Sequence, residues 1–425
     1  MVLADTLKDI RSAFLGMSLL SGEQKNQALE TFARMLIENR AQLLQANARD
    51  LQEQRGKISA SSYQRLQLSE GKIEVLVQGI RDLEQQRDPC GQVQWRRELD
   101  AGLILERRTV PIGVIGIIFE SRPDAVPQIL SLILKSGNAA ILKGGREALH
   151  SNRALMEVVE ELNGALPFLP AGWAVLLETR EETHEMLKLH HLIDLVIPRG
   201  SQELVRTVME NTRIPVLGHA DGVCHIFLER SADLNQALRI IIDAKVEYPS
   251  ACNAVETLLI DEAVTDLFLP KLHDAANETG MTLKGCPRVK QKYPDMDSVL
   301  DWSVEYGNPT LSVKIVAGLE EAVSHINRFG SHHTDAILTA DPQQANRFSA
   351  AVDSASVMVN TSTRFADGYR YGMGAELGIS TSRIHARGPV GVEGLMTYKY
   401  ILRGDGQIVG EYVGPEAKPF SHRDL

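Results

Sequence analysis

The sequence predicts an α/β fold with two parallel sheets and an additional antiparallel β-ribbon. Apolar, β-branched segments alternate with amphipathic segments of helical period between residues 112 and 218, and again between residues 223 and 360. Strands that alternate with helices form right-handed βαβ units, which build parallel sheets covered on both faces. A length of 425 residues suits two or three compact units, so each stretch can form its own core.

The N-terminal part is predicted to be helical. Ser21-Gly-Glu-Gln24 fits a capping box, and apolar residues then recur at helical spacing as far as Ile37. Leucines set among charged residues between positions 97 and 111 indicate exposed ribbon strands. We expect this ribbon to lead into a buried strand over residues 112–119.

The first α/β stretch continues in regular alternation. Its predicted elements are a helix near 124–136, a strand at 139–142, a helix near 147–163, a strand at 174–177, a short helix, a strand at 192–198 and a helix from Ser201. Parallel sheets of this kind bind ligands at the carboxyl ends of their strands. The loops that follow these strands are therefore the expected ligand sites.

The second α/β stretch and the C-terminal part complete the prediction. Strands are expected near 225–228, 256–260, 312–315, 336–338 and 356–360. Residues 397–402 and 407–412 flank a Gly404-Asp-Gly406 turn, which predicts a β-hairpin.

Composition and charge favour a cytoplasmic protein that binds neither membranes nor nucleic acid. The first residues lack the basic and apolar regions of a signal peptide, and the longest apolar run, over 110–119, is roughly half of a membrane span. Four widely spaced cysteines indicate free thiols in a reducing compartment. The net charge of −10 repels anions, so an anionic ligand would need local arginines or lysines.

One cysteine stands out by its setting. Cys252 lies in the loop Tyr248-Pro-Ser-Ala-Cys252-Asn, between a predicted helix and an apolar strand. A free thiol has a pKa of about 8.5, and its small thiolate fraction is strongly nucleophilic. The sequence alone allows two interpretations of Cys252, a catalytic nucleophile or a small buried hydrophobe.

Two turns combine glycine with cations directly after predicted strands. They are Lys143-Gly-Gly-Arg146 and Pro198-Arg-Gly-Ser201, and each opens a helix. The N–H groups and the dipole of a helix N-terminus favour phosphate. The GxGxxG fingerprint is absent, so these turns either bind a ligand or only connect elements.

Other polar groups follow strands as well. Arg122, in Glu120-Ser-Arg-Pro-Asp124, can pair with a phosphate or carboxylate or form a surface ion pair. The segment Asn360-Thr-Ser-Thr-Arg364 ends another strand with similar donors. The pairs His190-His191 and His332-His333 lack neighbouring metal ligands in the sequence, so no metal is expected.

Taken in chain order, these segments resemble the γ-glutamyl phosphate reductase family of the aldehyde dehydrogenase superfamily. The resemblance extends over residues 5–412 and rests on the segments RRTVPIGVIGIIFESRPDA, ILKGGREA, VIPRGS, GVCHIFL, SACNAVETLL, VNTSTRF, YGMGAELGIST and HARGPVG. It implies an aldehyde dehydrogenase-like fold with two parallel-sheet α/β domains and a β-ribbon for oligomerisation. The implied parts are an NADP-binding domain (1–90 and 112–218), a catalytic domain (219–390), and the ribbon with a C-terminal tail (91–111 and 391–425).

The resemblance also implies the site residues. Cys252 matches the nucleophile of the superfamily, and the substrate with its phosphate would be bound by Ser121, Arg122, Asn253 and Arg364. The cofactor, NADPH, would be held by Lys143, Gly144, Gly145, Arg146, Arg199, Gly200, Ser201 and Glu305.

The implied activity is the NADPH-dependent reduction of L-glutamate 5-phosphate to L-glutamate 5-semialdehyde, the second step of proline biosynthesis from glutamate. It would proceed through a Cys252 thioester with release of phosphate. A homodimer or higher homo-oligomer and a functional coupling to glutamate 5-kinase are further expectations of the resemblance.

Two departures from ordinary aldehyde dehydrogenases are informative. Arg122 stands where those enzymes keep an oxyanion-stabilising asparagine, and Val216 stands where they keep a water-activating glutamate. Both suit an acyl phosphate substrate. The alternatives are a hydrolysing aldehyde dehydrogenase, a cysteine hydrolase using His219 or His225, and a scaffold without activity, although a scaffold would be expected to lose Cys252.

Overall fold

The computed structural model describes residues 2–218 and 221–425 of the chain. Their contacts divide the chain into two compact units. Unit 1 comprises Met1–Leu217, Gly374–Leu377 and Gly391–Leu425, and unit 2 comprises Gly218–Met373 and Gly378–Val390. His219 lies outside the described residues. The assignment of cofactor, catalytic and oligomerising roles to parts of the chain stays a prediction.

Unit 1 begins with a helical layer, continues into a ribbon and then forms an α/β sheet. Its elements are α1 (Val2–Met17), α2 (Gly22–Glu38), α3 (Arg40–Gln54), α4 (Ala60–Leu66), α5 (Glu70–Gln85), β1 (Val93–Asp100), β2 (Leu103–Pro111), β3 (Val114–Phe119), α6 (Ala125–Ser136), β4 (Ala139–Lys143), α7 (Leu149–Ala165), β5 (Ala174–Leu177), α8 (Arg180–Met186), β6 (Leu195–Arg199) and α9 (Gln202–Glu210). The capping box predicted at Ser21 is present, with reciprocal bonds between Ser21 and Gln24.

The α/β sheet of unit 1 has the strand order β5-β4-β3-β6, and its strands are parallel. Every residue of β3 is buried, as the continuous apolar run predicted. The strand predicted at 192–198 begins later, at Leu195, because Leu192 and Ile193 still donate backbone hydrogen bonds to Leu189 and complete a turn.

Unit 2 contains a larger parallel sheet. Its elements are β7 (Cys224–Leu228), α10 (Leu234–Val246), β8 (Val255–Asp261), α11 (Thr265–Thr279), β9 (Thr282–Gly285), α12 (Pro287–Lys290), β10 (Asp297–Ser298), β11 (Thr310–Val316), α13 (Leu319–Phe329), β12 (Thr334–Leu338), α14 (Pro342–Ala351), β13 (Ser356–Val359), β14 (Ile379–Ser380) and β15 (Gly388–Pro389). The order of the seven-stranded sheet is β10-β9-β11-β8-β7-β12-β13.

The predicted strands of unit 2 all occur in this sheet. Two short strands, the edge strand β10 and its neighbour β9, were not predicted, because two and four residues are too few to show an alternation. Apolar clusters cover the sheet, and one of them contains Ile226, Leu258 and Phe268. Another contains Phe227, Leu259 and Phe348. Neighbouring residues of β7 and β8 therefore point into different cores.

The C-terminal part returns to unit 1 and joins the ribbon. The strands β16 (Met396–Arg403) and β17 (Arg423–Asp424) complete a sheet of order β16-β2-β1-β17 whose pairs are antiparallel. The prediction of a hairpin over 397–412 was wrong. β16 pairs with β2 from Met396↔Pro111 onwards, and Val409–Tyr412 form a 3-10 turn instead of a second strand.

None of the helices within the described ranges is long and apolar enough to cross a membrane.

Candidate active site

The predicted ligand residues of unit 1 lie at one edge of its sheet. β3, β4 and β6 are neighbours, and their carboxyl ends lead into the loops that begin at Glu120, Gly144 and Gly200. This is the edge at which parallel α/β sheets bind ligands. The structure thus brings the phosphate and cofactor candidates of unit 1 into adjacent loops.

The loop after β3 is held in a strained conformation. Ser121 has a φ of 42°, in the left-handed region that residues other than glycine rarely occupy. The Glu147 carboxylate fixes it, because its Oε1 accepts hydrogen bonds from the backbone N–H and from the Oγ of Ser121, both at 2.7 Å. Sequence reasoning did not find Glu147, because nothing in the sequence shows that its side chain reaches another strand.

A carboxylate also holds Ser201, the N-cap residue of the helix that follows β6. Glu120 Oε2 accepts from the backbone N–H of Ser201 at 2.7 Å, and Ser201 Oγ donates to Glu120 Oε1 at 3.2 Å. A Cβ atom on Gly200 would lie 2.4 Å from Glu120 Oε2, so the Glu120 carboxylate would have to shift if a larger residue stood here. The start of α9 was predicted to favour an anion, and here the anion is a side chain of the protein.

Two guanidinium groups lie at the same edge. Nη1 of Arg199 is buried and has no hydrogen-bond partner among the described residues. Burial, and secondly the charge of Arg122, lower the pKa of Arg199 to about 10, while Glu376 and Asp124 act in the opposite direction. Within residues 2–218 and 221–425, the Arg122 guanidinium forms neither a hydrogen bond nor an ion pair.

The turn after β4 carries the other predicted cofactor residues. Lys143 is buried, its Nζ donates to the carbonyl of Gly144, and burial lowers its pKa. A Cβ on Gly144 would lie 2.1 Å from Asn152 Nδ2, and one on Gly145 would lie 2.0 Å from Glu147 Oε1. Arg146 is exposed. The two glycines therefore pack closely against the side chains of Asn152 and Glu147, and a cation stands on either side of them in the sequence.

Cys252 lies at the amino edge of the seven-stranded sheet of unit 2, not at a carboxyl edge. It precedes β8, Gly222 precedes β7 and Glu305 precedes β11, and these strands are neighbours in the order β11-β8-β7. The nucleophile candidate is therefore at the amino edge of the larger sheet, whereas sequence reasoning expected ligands at carboxyl edges.

Gly222 connects the two predicted site residues of this edge. Its backbone N–H donates to Glu305 Oε2 at 2.9 Å, and a Cβ there would lie 2.3 Å from the carbonyl oxygen of Cys252. The carbonyl of Cys252 also accepts from Cys224 Sγ at 3.3 Å. Cys252 itself is half-buried. The structure therefore brings Glu305 and Cys252 together around Gly222.

Asn253 and Arg364 are bonded to each other. Arg364 Nη1 donates to Asn253 Oδ1, and Asn253 Nδ2 donates to the carbonyl of Ala366 at 2.9 Å. Arg364 Nε donates to Glu247 Oε2 at 2.9 Å. Both residues are buried. These bonds tie the loop after β13 to the Cys252 loop, which favours a positioning role for both side chains.

A buried ion pair joins two residues that flank the Cys252 loop in the sequence. Lys245, at the end of α10, and Glu256, at the start of β8, are 2.7 Å apart and almost fully buried. Burial raises the pKa of Glu256 to about 7, although Lys245 opposes this, and burial lowers the pKa of Lys245. Sequence reasoning did not find the pair, because charged residues eleven apart carry no periodic signal.

The remaining candidates have protein partners. Val216 forms a bridge to Val196 of β6 and packs on the core of unit 1. The hydrogen bonds of His225 go to Asp335, which accepts from its Nδ1 at 3.0 Å. Nδ1 of His332 lies 2.7 Å from the carbonyl of Asp353.

Comparison with known proteins gives consistent results along the whole chain. The profile of the aldehyde dehydrogenase family matches residues 3–285. The γ-glutamyl phosphate reductase of Methanosarcina barkeri is 48% identical over 428 residues, which cover 98% of this chain and 96% of the relative. The enzyme of the same name from Synechococcus sp. (strain JA-3-3Ab) is 53% identical over 350 residues, covering 82% of this chain and 77% of the relative.

Solved structures extend the comparison to the fold. The crystal structure of γ-glutamyl phosphate reductase from Thermotoga maritima has a TM-score of 0.93 and 36% identity, and covers 96% of this chain and 99% of that one. An acetylating aldehyde dehydrogenase from Geobacillus thermoglucosidasius has a TM-score of 0.63 at 17% identity, covering 96% and 97%. At that identity only the fold is shared.

Proposed function

The chain belongs to the aldehyde dehydrogenase family and, within it, to the γ-glutamyl phosphate reductases, and on this basis we propose its reaction. It is the reduction of L-glutamate 5-phosphate to L-glutamate 5-semialdehyde by NADPH, with release of phosphate, in the cytoplasmic synthesis of proline. The observation that carries the proposal is the Cys252 loop, which is tied to Glu305 through Gly222 and is followed by the buried residue Asn253.

The proposed covalent chemistry belongs to Cys252. Its thiolate attacks the γ-carbonyl carbon of the acyl phosphate, the C–O bond to phosphate breaks, and a thioester remains on the protein. NADPH, when bound, supplies the hydride that reduces the acyl group. The resulting thiohemiacetal oxyanion on Cys252 then expels the thiolate and releases the semialdehyde. The backbone N–H of Cys252 and a side-chain donor would stabilise the oxyanions.

Asn253 and Arg364 act in this proposal by fixing the nucleophile. Both polar ends of the Asn253 amide are bonded within the protein, the oxygen to Arg364 and the nitrogen to the carbonyl of Ala366. Each end of the amide therefore already has a partner within the protein. An aligned nucleophile contributes to catalysis because misplacement of the reacting atoms by about 1 Å can reduce the rate about 100-fold.

Two features of the turn after β4 support NADPH as the cofactor. Lys143 and Arg146 place two cations beside Gly144 and Gly145. Glu147, the first carboxylate after them, is engaged by Ser121 through both its backbone N–H and its Oγ. Enzymes that prefer NAD usually offer a carboxylate to the ribose 2′-hydroxyl, whereas cations accommodate a 2′-phosphate.

Hydrolysis of the thioester is the nearest alternative reaction, and it needs a general base. Val216 occupies the position where hydrolysing relatives keep that base, and a valine cannot accept a proton. Glu256 has a raised pKa of about 7, which would suit a base. It is, however, fully buried against Lys245, so it cannot activate a water at the thioester. The acyl group is therefore expected to pass to phosphate and not to water.

The proposal is tested by removing the thiol. Cys252→Ala should abolish phosphate-dependent reduction of NADP⁺ by glutamate semialdehyde, while NADPH binding and the circular dichroism spectrum stay unchanged. Cys286→Ala is the matched control, because Cys286 is another free thiol of unit 2, located at the start of α12. It should keep most of the activity. Turnover by Cys252→Ala above a few per cent of wild type would overturn the covalent mechanism.

A further inference from the structure

One nitrogen of the Arg199 guanidinium, Nη1, is buried without a hydrogen-bond partner among the described residues. A buried donor without a hydrogen bond is unfavourable, and the penalty is larger for a charged group. Nη1 of Arg199 is such a donor among the described residues. The charges of Glu376 and Asp124 raise the pKa of Arg199, against the effect of burial. Asp124 Oδ1 is likewise buried without a hydrogen bond within the described ranges.

The neighbouring turn does not use the charge of Arg199. At the amino end of α9, Glu120 already accepts from both the N–H and the Oγ of Ser201, the N-cap residue. A phosphate of the cofactor would have to displace this carboxylate to bind at the helix end. Arg199 is thus separated in function from the glycine turn to which sequence reasoning assigned it.

Arg122 adds a second cation to the same place. Arg199 ends β6 opposite Phe119 of β3, and Arg122 lies three residues after Phe119. After burial, the charge of Arg122 is the largest influence on the pKa of Arg199. Two like charges repel each other unless an anion lies between them. Arginine binds phosphate through a planar fork of donors, and both arginines retain donors that no described residue occupies.

We propose that Arg199 and Arg122 together form the receptor for the acyl phosphate group of the substrate and for the inorganic phosphate that leaves it. The inference rests on the proposed function for the identity of the phosphate compound. Arg199 is therefore a substrate-recognition residue in addition to Arg122, with its Nη1 donating to a phosphate oxygen.

The rival source of the same chemistry is a phosphate of NADPH. The two sources are separated by measuring inorganic phosphate and the cofactor independently on one set of variants. Arg199→Gln and Arg122→Gln remove one guanidinium each, and Arg199→Lys keeps the charge but removes the fork. Arg213→Gln is the matched control, because Arg213 is an exposed arginine of unit 1 and its loss changes the net charge equally.

The phosphate concentration for half-maximal reduction of NADP⁺ by glutamate semialdehyde is the first measurement. The loss of a hydrogen bond to a charged group should raise it about 10- to 100-fold in Arg199→Gln and Arg122→Gln. Calorimetric titration with inorganic phosphate, without turnover, should show the same weakening. The dissociation constant of NADPH, from its fluorescence, should change less than about twofold, and Arg213→Gln should match wild type in all three assays.

Arg199→Lys keeps the test decisive if Arg199→Gln does not fold, because a lysine retains the buried charge. Arg199→Lys should weaken the binding of phosphate while leaving the binding of NADPH intact. Unchanged phosphate binding in the variants, or weakened NADPH binding with normal phosphate binding, would overturn the receptor. If wild type shows no phosphate-dependent turnover at all, the proposed function fails instead, and the calorimetric titration still tests the receptor.

Discussion

Breaking the buried ion pair between Lys245 and Glu256 should destabilise the protein strongly. The 2.7 Å separation corresponds to an attraction of about 6 kcal/mol at an effective dielectric constant of about 20. Glu256→Gln removes this attraction and leaves the ammonium group of Lys245 buried without a counter-charge. Loss of one partner of a buried pair typically costs about 3–5 kcal/mol, which we expect as the decrease in the free energy of unfolding.

The pH dependence of that variant has a definite sign. Without Glu256, burial lowers the pKa of Lys245 in the folded state further below its value in the unfolded chain. The unfolded chain then binds more protons than the folded protein as the pH approaches the ordinary lysine pKa of 10.5. The free energy of unfolding of Glu256→Gln should therefore rise with pH in that alkaline range, by up to about 1.4 kcal/mol per pH unit.

Urea denaturation followed by circular dichroism measures both effects. Glu262→Gln is the control, because Glu262 pairs with Arg288 at 2.8 Å while both side chains are about half exposed. That exposed pair should contribute no more than about 1 kcal/mol. The double variant Lys245→Met/Glu256→Met should recover most of the stability. Equal losses in Glu256→Gln and Glu262→Gln, or a double variant as unstable as the sum of its parts, would refute the reasoning.

Two further predictions concern the cofactor and the assembly. Lys143→Ala/Arg146→Ala should reduce kcat/KM for NADPH more than for NADH, since these cations would face the 2′-phosphate, and equal efficiency of wild type with both cofactors would contradict the assignment. The chain should also form a dimer, because β16 is an edge strand whose residues Tyr398, Tyr400 and Leu402 are about half exposed. Sedimentation velocity should show the dimer at micromolar concentration, and a fully active monomer would exclude it.

Much of the fold could be predicted from the sequence, because a strand that is buried on both faces of a sheet appears as a continuous apolar run. The continuous apolar run of β3 and the regular alternation of strands and helices in both units fixed the class. The C-terminal hairpin failed because a glycine turn shows only that the chain reverses. The partner of β16 is β2, almost three hundred residues earlier, and no local pattern encodes such pairing.

The sequence offers a candidate site where a residue type is chemically distinctive. Cys252 could be singled out because a thiol in a loop before a buried strand is unusual. The side chains that organise the loops could not be predicted, because their roles depend on distance in space. Glu120 reaches Ser201, Glu147 reaches Ser121 and Glu247 reaches Arg364, and in the sequence each is an ordinary glutamate.

The dependence of the reverse reaction on phosphate tests the central claim most directly. Reduction of NADP⁺ by glutamate semialdehyde should be measured in phosphate-free buffer and then with increasing inorganic phosphate at constant ionic strength. Since a general base typically accelerates hydrolysis about 10²–10⁴-fold and Val216 provides none, the rate without phosphate should be close to zero. It should rise with phosphate to saturation. Formation of glutamate at a comparable rate without phosphate would contradict the account and indicate a hydrolysing aldehyde dehydrogenase.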